Sequence, residues 1–327
     1  TGMVTKEWAA IHRKHHAMCE TVNDPHSPQI LGINKVLWEG AELYRKEAKN
    51  AETMEKYGKG TPDDWMERNV YSKYSARGIV LMLIINLILF GPLGLTIWAV
   101  QMAWIPFTAA GVINGLAHYW GYRNFSSDDA ATNISPWGIL IGGEELHNNH
   151  HAYASSAKLS SKWYEFDIGW MYIRILEMLG LAKVKKVAGK PLIDLAKTTP
   201  DAATLQAVIT HRYEVMAKYV KTLKATMSEE IGKLHGPQVD VKTFRRWLHF
   251  DKGALKAPEQ ETLDQALKSS KVLDTIYSMR HDLAAIWARS TATQEQLVKQ
   301  LEEWCQRAEA SGIEALQQFS RRLRCYA

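Results

Sequence analysis

Between Gly78 and Leu116 the chain carries no Asp, Glu, Lys, Arg or His. This run limits the possible folds more than any other stretch. As one straight helix it would be about 58 Å long at about 1.5 Å per residue, whereas a bilayer core is only about 30 Å thick. Gly91-Pro92-Leu93-Gly94 interrupts it midway, and both residue types end helices. The pattern predicts a hairpin of two short apolar helices, near Ile79–Phe90 and Leu95–Gly115. Lys73 and Arg77 flank the entry and Arg123 the exit. The competing reading is a buried soluble hairpin. The absence of charge and the flanking Tyr, Trp and Arg residues favour the membrane. Two crossings return the chain to its starting side, so groups before Lys73 and after Arg123 face one compartment.

Elsewhere the pattern is helical, and neither strands, repeats nor low-complexity tracts are evident. Trp8–Glu20, Val36–Tyr57 and Asp63–Tyr74 read as helices, with Asn23-Asp24-Pro25-His26-Ser27-Pro28 as a turn. Phe125–Pro136 is a polar loop. Trp163–Leu181 is aromatic and amphipathic, suited to a membrane surface. Lys183-Val184-Lys185-Lys186 suits an anionic leaflet. After Pro191 the character changes. Ala202–Ile231, Glu259–Trp287, Thr293–Ala310 and Ile313–Arg324 read as helices, with a break at His235-Gly236-Pro237. Leu297, Leu301, Trp304 and Ala308 form one apolar stripe, and Ile313, Leu316, Phe319 and Leu323 another. Such stripes predict a bundle packed on itself rather than a binding surface. The 3 cysteines, Cys19, Cys305 and Cys325, are far apart, which fits a reducing compartment without a disulfide framework. The formal charge of +5 fits a positive-inside bias as well as weak nucleic-acid affinity.

Seven of the 12 histidines gather in three places. His12, His15 and His16 share one helical face, and so do His147, His150 and His151. His118 ends the second apolar helix, with Asn114 one turn before it. Packing does not ask for this repetition, whereas metal binding does. A nitrogen-rich set suits Fe, Zn, Cu or Ni. A structural zinc takes four ligands, usually including Cys, so seven imidazoles suggest two ions. Glu144 and Glu145 are candidates to accept the outer N–H of ligand imidazoles; plain solvated charge is their competing reading. A histidine-rich site for two metals beside a membrane suits O2 activation on a lipid.

The order HRKHH, apolar hairpin, NGLAHYWGYRNF, then NISPWGILIGGEELHNNHH resembles the membrane fatty-acid desaturases. The resemblance is to the bacterial acyl-CoA Δ9 type, related to animal stearoyl-CoA desaturases, and runs from about Trp8 to Trp170. It implies an all-α fold: an integral-membrane helical hairpin, a cytoplasmic helical cap holding a histidine-rich di-iron site, and a C-terminal helical extension. It implies a membrane and catalytic region over 1–190 and an extension over 191–327, similar to tails on some proteobacterial desaturases. The implied iron ligands are His12, His15, His16, His118, His147, His150 and His151, with Asn114 acting through water. His26, in a DPH motif, is not expected to bind metal. Trp8 and Trp120 are candidate walls of a substrate tunnel, with core packing as the alternative. The implied reaction is O2-dependent insertion of a cis double bond, at Δ9, into a long-chain acyl-CoA or acyl lipid. Electrons would come from a separate reductase with a ferredoxin, rubredoxin or cytochrome b5-like carrier, because no nucleotide-binding glycine motif or CxxC spacing occurs here. The implied location is the bacterial inner membrane with the histidines on the cytoplasmic side, and no nucleic-acid partner is expected. The family's HxxxxH box and its two neighbouring spans precede HRxHH, so the resemblance also implies an N-terminally truncated sequence. Two other functions compete: a related histidine-box hydroxylase, and an inactive fragment acting as a membrane-anchored interaction module.

Overall fold

The structure, a computed structural model, describes residues 3–127, 129–189, 191–234, 239–248, 252, 255–288 and 291–327. It begins with α1 (Thr5–Met18), which ends at Cys19. The turn beyond α1 is closed by one side chain. Asp24 accepts the backbone N–H of Glu20 at 2.8 Å and of His26 at 3.1 Å, and Glu20 adopts a positive φ of 61°. Ser27 then caps the short α2 (Pro28–Leu31). The expected helix over Val36–Tyr57 is two helices, α3 (Ile33–Ala48) and α4 (Ala51–Tyr57). They divide at Asn50, whose side chain accepts from Thr53 N at 3.3 Å. That local bond starts a new helix in preference to continuing the old one. The expected helix over Asp63–Tyr74 is reduced to a π-helical turn, Glu67–Tyr71.

The charge-free run forms α5 (Arg77–Phe90) and α6 (Leu93–Ile105), with a π-helical continuation over Pro106–Leu116. Gly91, at φ 58°, makes the turn between them. The two helices are inside out by the standard of a water-soluble core. In α5 the buried residue is Asn86, and in α6 it is Gly94. Ile88 is 76% exposed and Leu89 66%. Asn86 donates to Gln101 Oε1 at 3.1 Å, and Trp98 donates to the Ile79 carbonyl at 3.1 Å. Leu93–Leu116, 24 residues with mean hydropathy 1.4, is long and apolar enough to cross a membrane; Arg77–Phe90 is apolar but shorter. α3 crosses the π-helical segment at two glycines. A Cβ at Gly40 would meet the Ala110 carbonyl, and one at Gly111 the Leu37 carbonyl. Small residues are what let two helix backbones approach this closely.

Two strands too short to show in sequence alternation, β1 (Trp137–Gly138) and β2 (Phe166–Asp167), pair in parallel. Between them lies α7 (His147–Ala152), all of whose residues are buried. Asp167 then caps α8 (Ile168–Met178) by accepting from Trp170 N at 2.8 Å, and α8 buries none of its residues.

The chain divides into two compact units, Thr1–Ala188 and Gly189–Ala327. In the second, the expected long helix over Ala202–Ile231 is three: α9 (Ala202–Thr210), α10 (Arg212–Thr222) and α11 (Lys224–Gly232). They are followed by α12 (Val241–Trp247), α13 (Ala257–Ser269), α14 (Lys271–Trp287), α15 (Gln294–Ala310) and α16 (Glu314–Arg324). Ser270 separates α13 from α14 by capping Leu273 N. Both apolar stripes face one core, in which Leu301, Trp304, Leu316 and Phe319 are buried. Two polar side-chain groups inside that core donate to helix carbonyls. Tyr219 OH donates to Ile276 O at 2.6 Å, and Trp304 Nε1 to Met279 O at 2.8 Å. The break expected at His235-Gly236-Pro237 lies outside the described residues.

Candidate metal centre

Three distant stretches deliver seven imidazoles to one place. α1 presents His12, His15 and His16 along one face, since positions three and four apart stack on a helix. His118 follows the π-helical segment, whose last turn closes with Ala117 N donating to Val112 O at 3.2 Å. α7 supplies His147, His150 and His151. The rings sort into two groups by their Nε2 atoms. In the first, His15 lies 3.2 Å from His118, His118 3.0 Å from His147, and His147 3.1 Å from His151. The second is a triangle: His12 to His150 2.9 Å, His16 to His150 2.9 Å, and His16 to His12 3.2 Å.

In three of the first group the opposite ring nitrogen is held by a carboxylate. His15 Nδ1 lies 3.0 Å from Asp24, His151 Nδ1 2.9 Å from Asp129, and His118 Nδ1 3.3 Å from Glu20. An ionised carboxylate only accepts, so each Nδ1 carries the proton and each Nε2 turns a lone pair inward. Lone pairs about 3 Å apart repel unless a cation lies between them. The triangle makes the same case without any tautomer assignment. A hydrogen bond needs one donor and one acceptor, and three mutually contacting nitrogens cannot alternate around an odd ring. A cation accepts all three lone pairs at once. Burial keeps the rings neutral, as ligation requires. It pushes His15, His147 and His151 well below the ordinary imidazole range, with neighbouring imidazoles adding to the effect. His12 is lowered to about 4, first by burial and then by His150. The donor set therefore fits metal ions in two adjacent positions.

The remaining residues expected at the site have mixed placements. Asn114 is half-buried on the π-helical segment. Glu144 Oε2 lies 3.4 Å from His147 Nδ1, an ion-pair distance without hydrogen-bond geometry. Glu145 serves the backbone rather than an imidazole: its Oε1 accepts from Leu140 N at 2.6 Å and Ile141 N at 3.0 Å. Trp8 stacks on His12 with centroids 4.9 Å apart. Trp120 is 63% exposed, which is not the environment of an enclosed tunnel wall. His26 is buried with its ring centroid 4.4 Å from that of His15.

Sequence reasoning missed two sets of residues. One is the carboxylates Glu20, Asp24 and Asp129. The other is an asparagine network around α7. Asn149 Oδ1 accepts from Asn124 at 2.8 Å and Asn133 at 3.1 Å, and its Nδ2 donates to Glu165 at 2.8 Å. Glu165 also accepts from Tyr122 OH at 2.8 Å, Ser161 N at 2.7 Å and Lys162 N at 2.9 Å. Asn148 Oδ1 accepts the backbone N–H groups of Asn124 and Phe125 at 2.8 and 2.9 Å. The available signal was the Asn-Asn pair inside HNNHH, two amides on a short helix where apolar residues would otherwise pack.

Comparison with known proteins separates the chain into two parts. Residues 1–174 match the family described as fatty acid desaturase, and residues 181–327 match one described as transposase. The first part is similar to Delta-9 acyl-lipid desaturase 1 of Arabidopsis thaliana, 31% identical over 54% of this chain and 57% of the relative. It is also similar to the sn-1 stearoyl-lipid 9-desaturase of Anabaena variabilis, 30% identical over 56% of this chain and 66% of the relative. The acyl-CoA C20 Delta5-desaturase of Anemone leveillei is 31% identical over 55% and 57%. The chain thus spans less than two thirds of the length of these relatives. No solved structure matches.

Proposed function

The chain belongs to the fatty acid desaturase family, and from that premise we propose that it carries the metal centre and a membrane hairpin of an O2-dependent fatty acyl desaturase. The observation that supports this most directly is the pair of adjacent Nε2 clusters, the first of them backed by carboxylates. In this proposal His15, His118, His147 and His151 hold one iron, and His12, His16 and His150 the other. Asn114 would act through a water.

With iron bound, the centre would supply O2 activation, the chemistry needed to attack an unactivated acyl methylene. The overall reaction balances when O2 takes two hydrogens from adjacent acyl carbons and two electrons with two protons from an external donor, leaving a cis alkene and two waters. The chain's own part is to position and to insulate. Asp24, Glu20 and Asp129 keep the outer imidazole protons in place, so the inner nitrogens stay available. The asparagine network fixes α7, and with it three ligands. The outward apolar faces of α5 and α6 suit lipid contact, with Asn86 and Gln101 satisfying each other between the helices. The basic run at Lys183–Lys186 supports a reading in which the histidine side of this hairpin faces an anionic cytoplasmic leaflet.

The substrate we propose is a long-chain acyl lipid or acyl-CoA, desaturated at Δ9. Support comes from relatives named for acyl-lipid, stearoyl-lipid and acyl-CoA substrates, two of them for position 9. Residues 1–190 form the membrane and catalytic region, and 191–327 a helical extension. The test is the full chain in lipid nanodiscs, loaded with ferrous iron and given O2, a chemical or protein reductant, and stearoyl substrates. Product carrying two hydrogens fewer than substrate supports desaturation, and product gaining one oxygen assigns a hydroxylase. Turnover unchanged by His147→Ala and His150→Ala overturns both.

A further inference from the structure

The sulfur of Cys19 lies at the edge of the first imidazole group, and the sequence pattern had assigned this cysteine nothing. Cys19 is the residue at which α1 ends, one turn beyond His15. Its Sγ is 3.9 Å from His15 Nε2. Potential ligand atoms of His15, Cys19, His118 and His151 all lie within 4.8 Å of one another. Bonds of about 2.0–2.1 Å to nitrogen and about 2.3 Å to sulfur let a single central ion join ligand atoms up to about 4.4 Å apart, which covers the 3.9 Å from Cys19 to His15 and the 3.2 Å from His15 to His118. Independently, the Nδ1 protons held by Asp24, Glu20 and Asp129 leave the Nε2 lone pairs of His15, His118 and His151 aimed into this same space. The second group has no sulfur comparably placed among the described residues: His12, His16 and His150 form a set of nitrogens alone.

We propose that Cys19 is a thiolate ligand of the metal held by His15, His118, His147 and His151. The two metal positions are then chemically unequal, one with four nitrogens and a sulfur and the other with nitrogens. Binding displaces the thiol proton to solvent, and sulfur donation makes the first ion the more electron-rich of the pair. This inference rests on the metal-site reading above, and it adds a donor that the histidine pattern does not contain.

Cobalt tests it without any turnover. The full chain in nanodiscs, with Cys305→Ser and Cys325→Ser so that Cys19 is the remaining thiol, is titrated with Co(II). The expected result is visible ligand-field bands together with an intense near-ultraviolet sulfur-to-cobalt charge-transfer band. Adding Cys19→Ser should abolish the near-ultraviolet band while the visible bands persist. Visible bands without charge transfer in the Cys19-containing protein overturn the sulfur ligand and leave the histidine site standing. A charge-transfer band that survives Cys19→Ser also overturns it. Failure of the Cys19-containing protein to take up cobalt at all overturns the sulfur ligand and the metal-site reading together.

Discussion

Asp24 holds His15 by both carboxylate oxygens, 3.0 and 3.1 Å from Nδ1, with the two side chains almost wholly inaccessible to solvent. The same carboxylate closes the turn after α1 through the backbone N–H groups of Glu20 and His26. Loop geometry and ligand tautomer therefore depend on one side chain. Asp24→Asn keeps only one of the two turn acceptors, because Glu20 N and His26 N bond to different oxygens of the carboxylate, and it should no longer hold the proton firmly on Nδ1. Losing a carboxylate behind a ligand imidazole typically weakens metal binding about 10–100-fold. Cobalt titration of the variant against the parent chain measures this directly, with unchanged helical circular dichroism showing that the fold survives.

The two imidazole groups should be separable. The Nε2 contacts of His150 are to His12 and His16, and those of His147 are to His118 and His151. His150→Ala leaves the second group with only two nitrogens, too few for a stable site where four is the common number. The expected outcome is a fall from about two ions per chain to about one, read by elemental analysis of the purified protein. An equal loss of both ions would show instead that the two positions fill cooperatively.

Asn149 sits between three partners. Replacing it by Leu strands the Asn133 amide, whereas Asn124 keeps Glu165 as an acceptor and Glu165 keeps Tyr122, Ser161 and Lys162 as donors. A buried polar group left without a partner costs about 1–3 kcal/mol. Asn149→Leu should therefore lower the thermal midpoint even though it adds apolar surface to a buried site. Asn149→Asp should fare no better, because it sets a second carboxylate against Glu165. Differential scanning fluorimetry in detergent compares both variants with the parent.

The helices and the histidines were legible in the sequence because each has a period. Apolar runs ending at Gly91 marked α5 and α6 to within two residues at their near ends. Residues three and four apart marked the faces that carry the imidazoles. What has no period was not legible. Asp24, Glu20 and Asp129 reach their histidines across loops, and Asn50, His211 and Ser270 break long amphipathic patterns through local bonds that hydrophobicity does not register. Adjacency of Glu145 to His147 in sequence says little about direction, and its Oε1 faces the Leu140–Ile141 amides. The stripes of α15 and α16 specified burial correctly, but an amphipathic stripe records packing and not ancestry. It therefore gave no sign of the similarity to a transposase family over residues 181–327.

Acid should destabilise the metal-free first unit. The His12 imidazole, with an ordinary value of 6.5, is lowered to about 4 in the fold by burial and then by His150. Between those values the unfolded chain binds a proton that the folded chain does not. Stability therefore rises with pH across this window and falls as pH drops through it. His15, His147 and His151 shift in the same direction and steepen the slope. Chemical denaturation of chelator-treated protein from about pH 7 to about pH 4.5 should show a falling midpoint. Metal should flatten the curve near neutrality and steepen it where protons begin to compete for Nε2.

The crossing of α3 with the π-helical segment should couple remote packing to the metal site. Gly111 presses against the Leu37 carbonyl, and Gly40 against the Ala110 carbonyl. A methyl group at Gly111 has no flexible side chain to displace, so the two backbones must separate. Forcing extra volume into such a contact costs typically about 1–3 kcal/mol. The displacement would carry along the π-helical segment to His118, the ligand that follows it. Gly111→Ala should therefore lower both the denaturation midpoint and the cobalt affinity, although residue 111 is not itself a ligand. Gly232→Ala supplies the control: it lies in α11 with nothing within 4 Å of its added Cβ, and Ala in place of a helical Gly is favourable by about 0.5–1 kcal/mol. That variant should bind cobalt like the parent and melt no earlier. If Gly111→Ala matched it in both measurements, the close approach of α3 would not be what sets the position of His118.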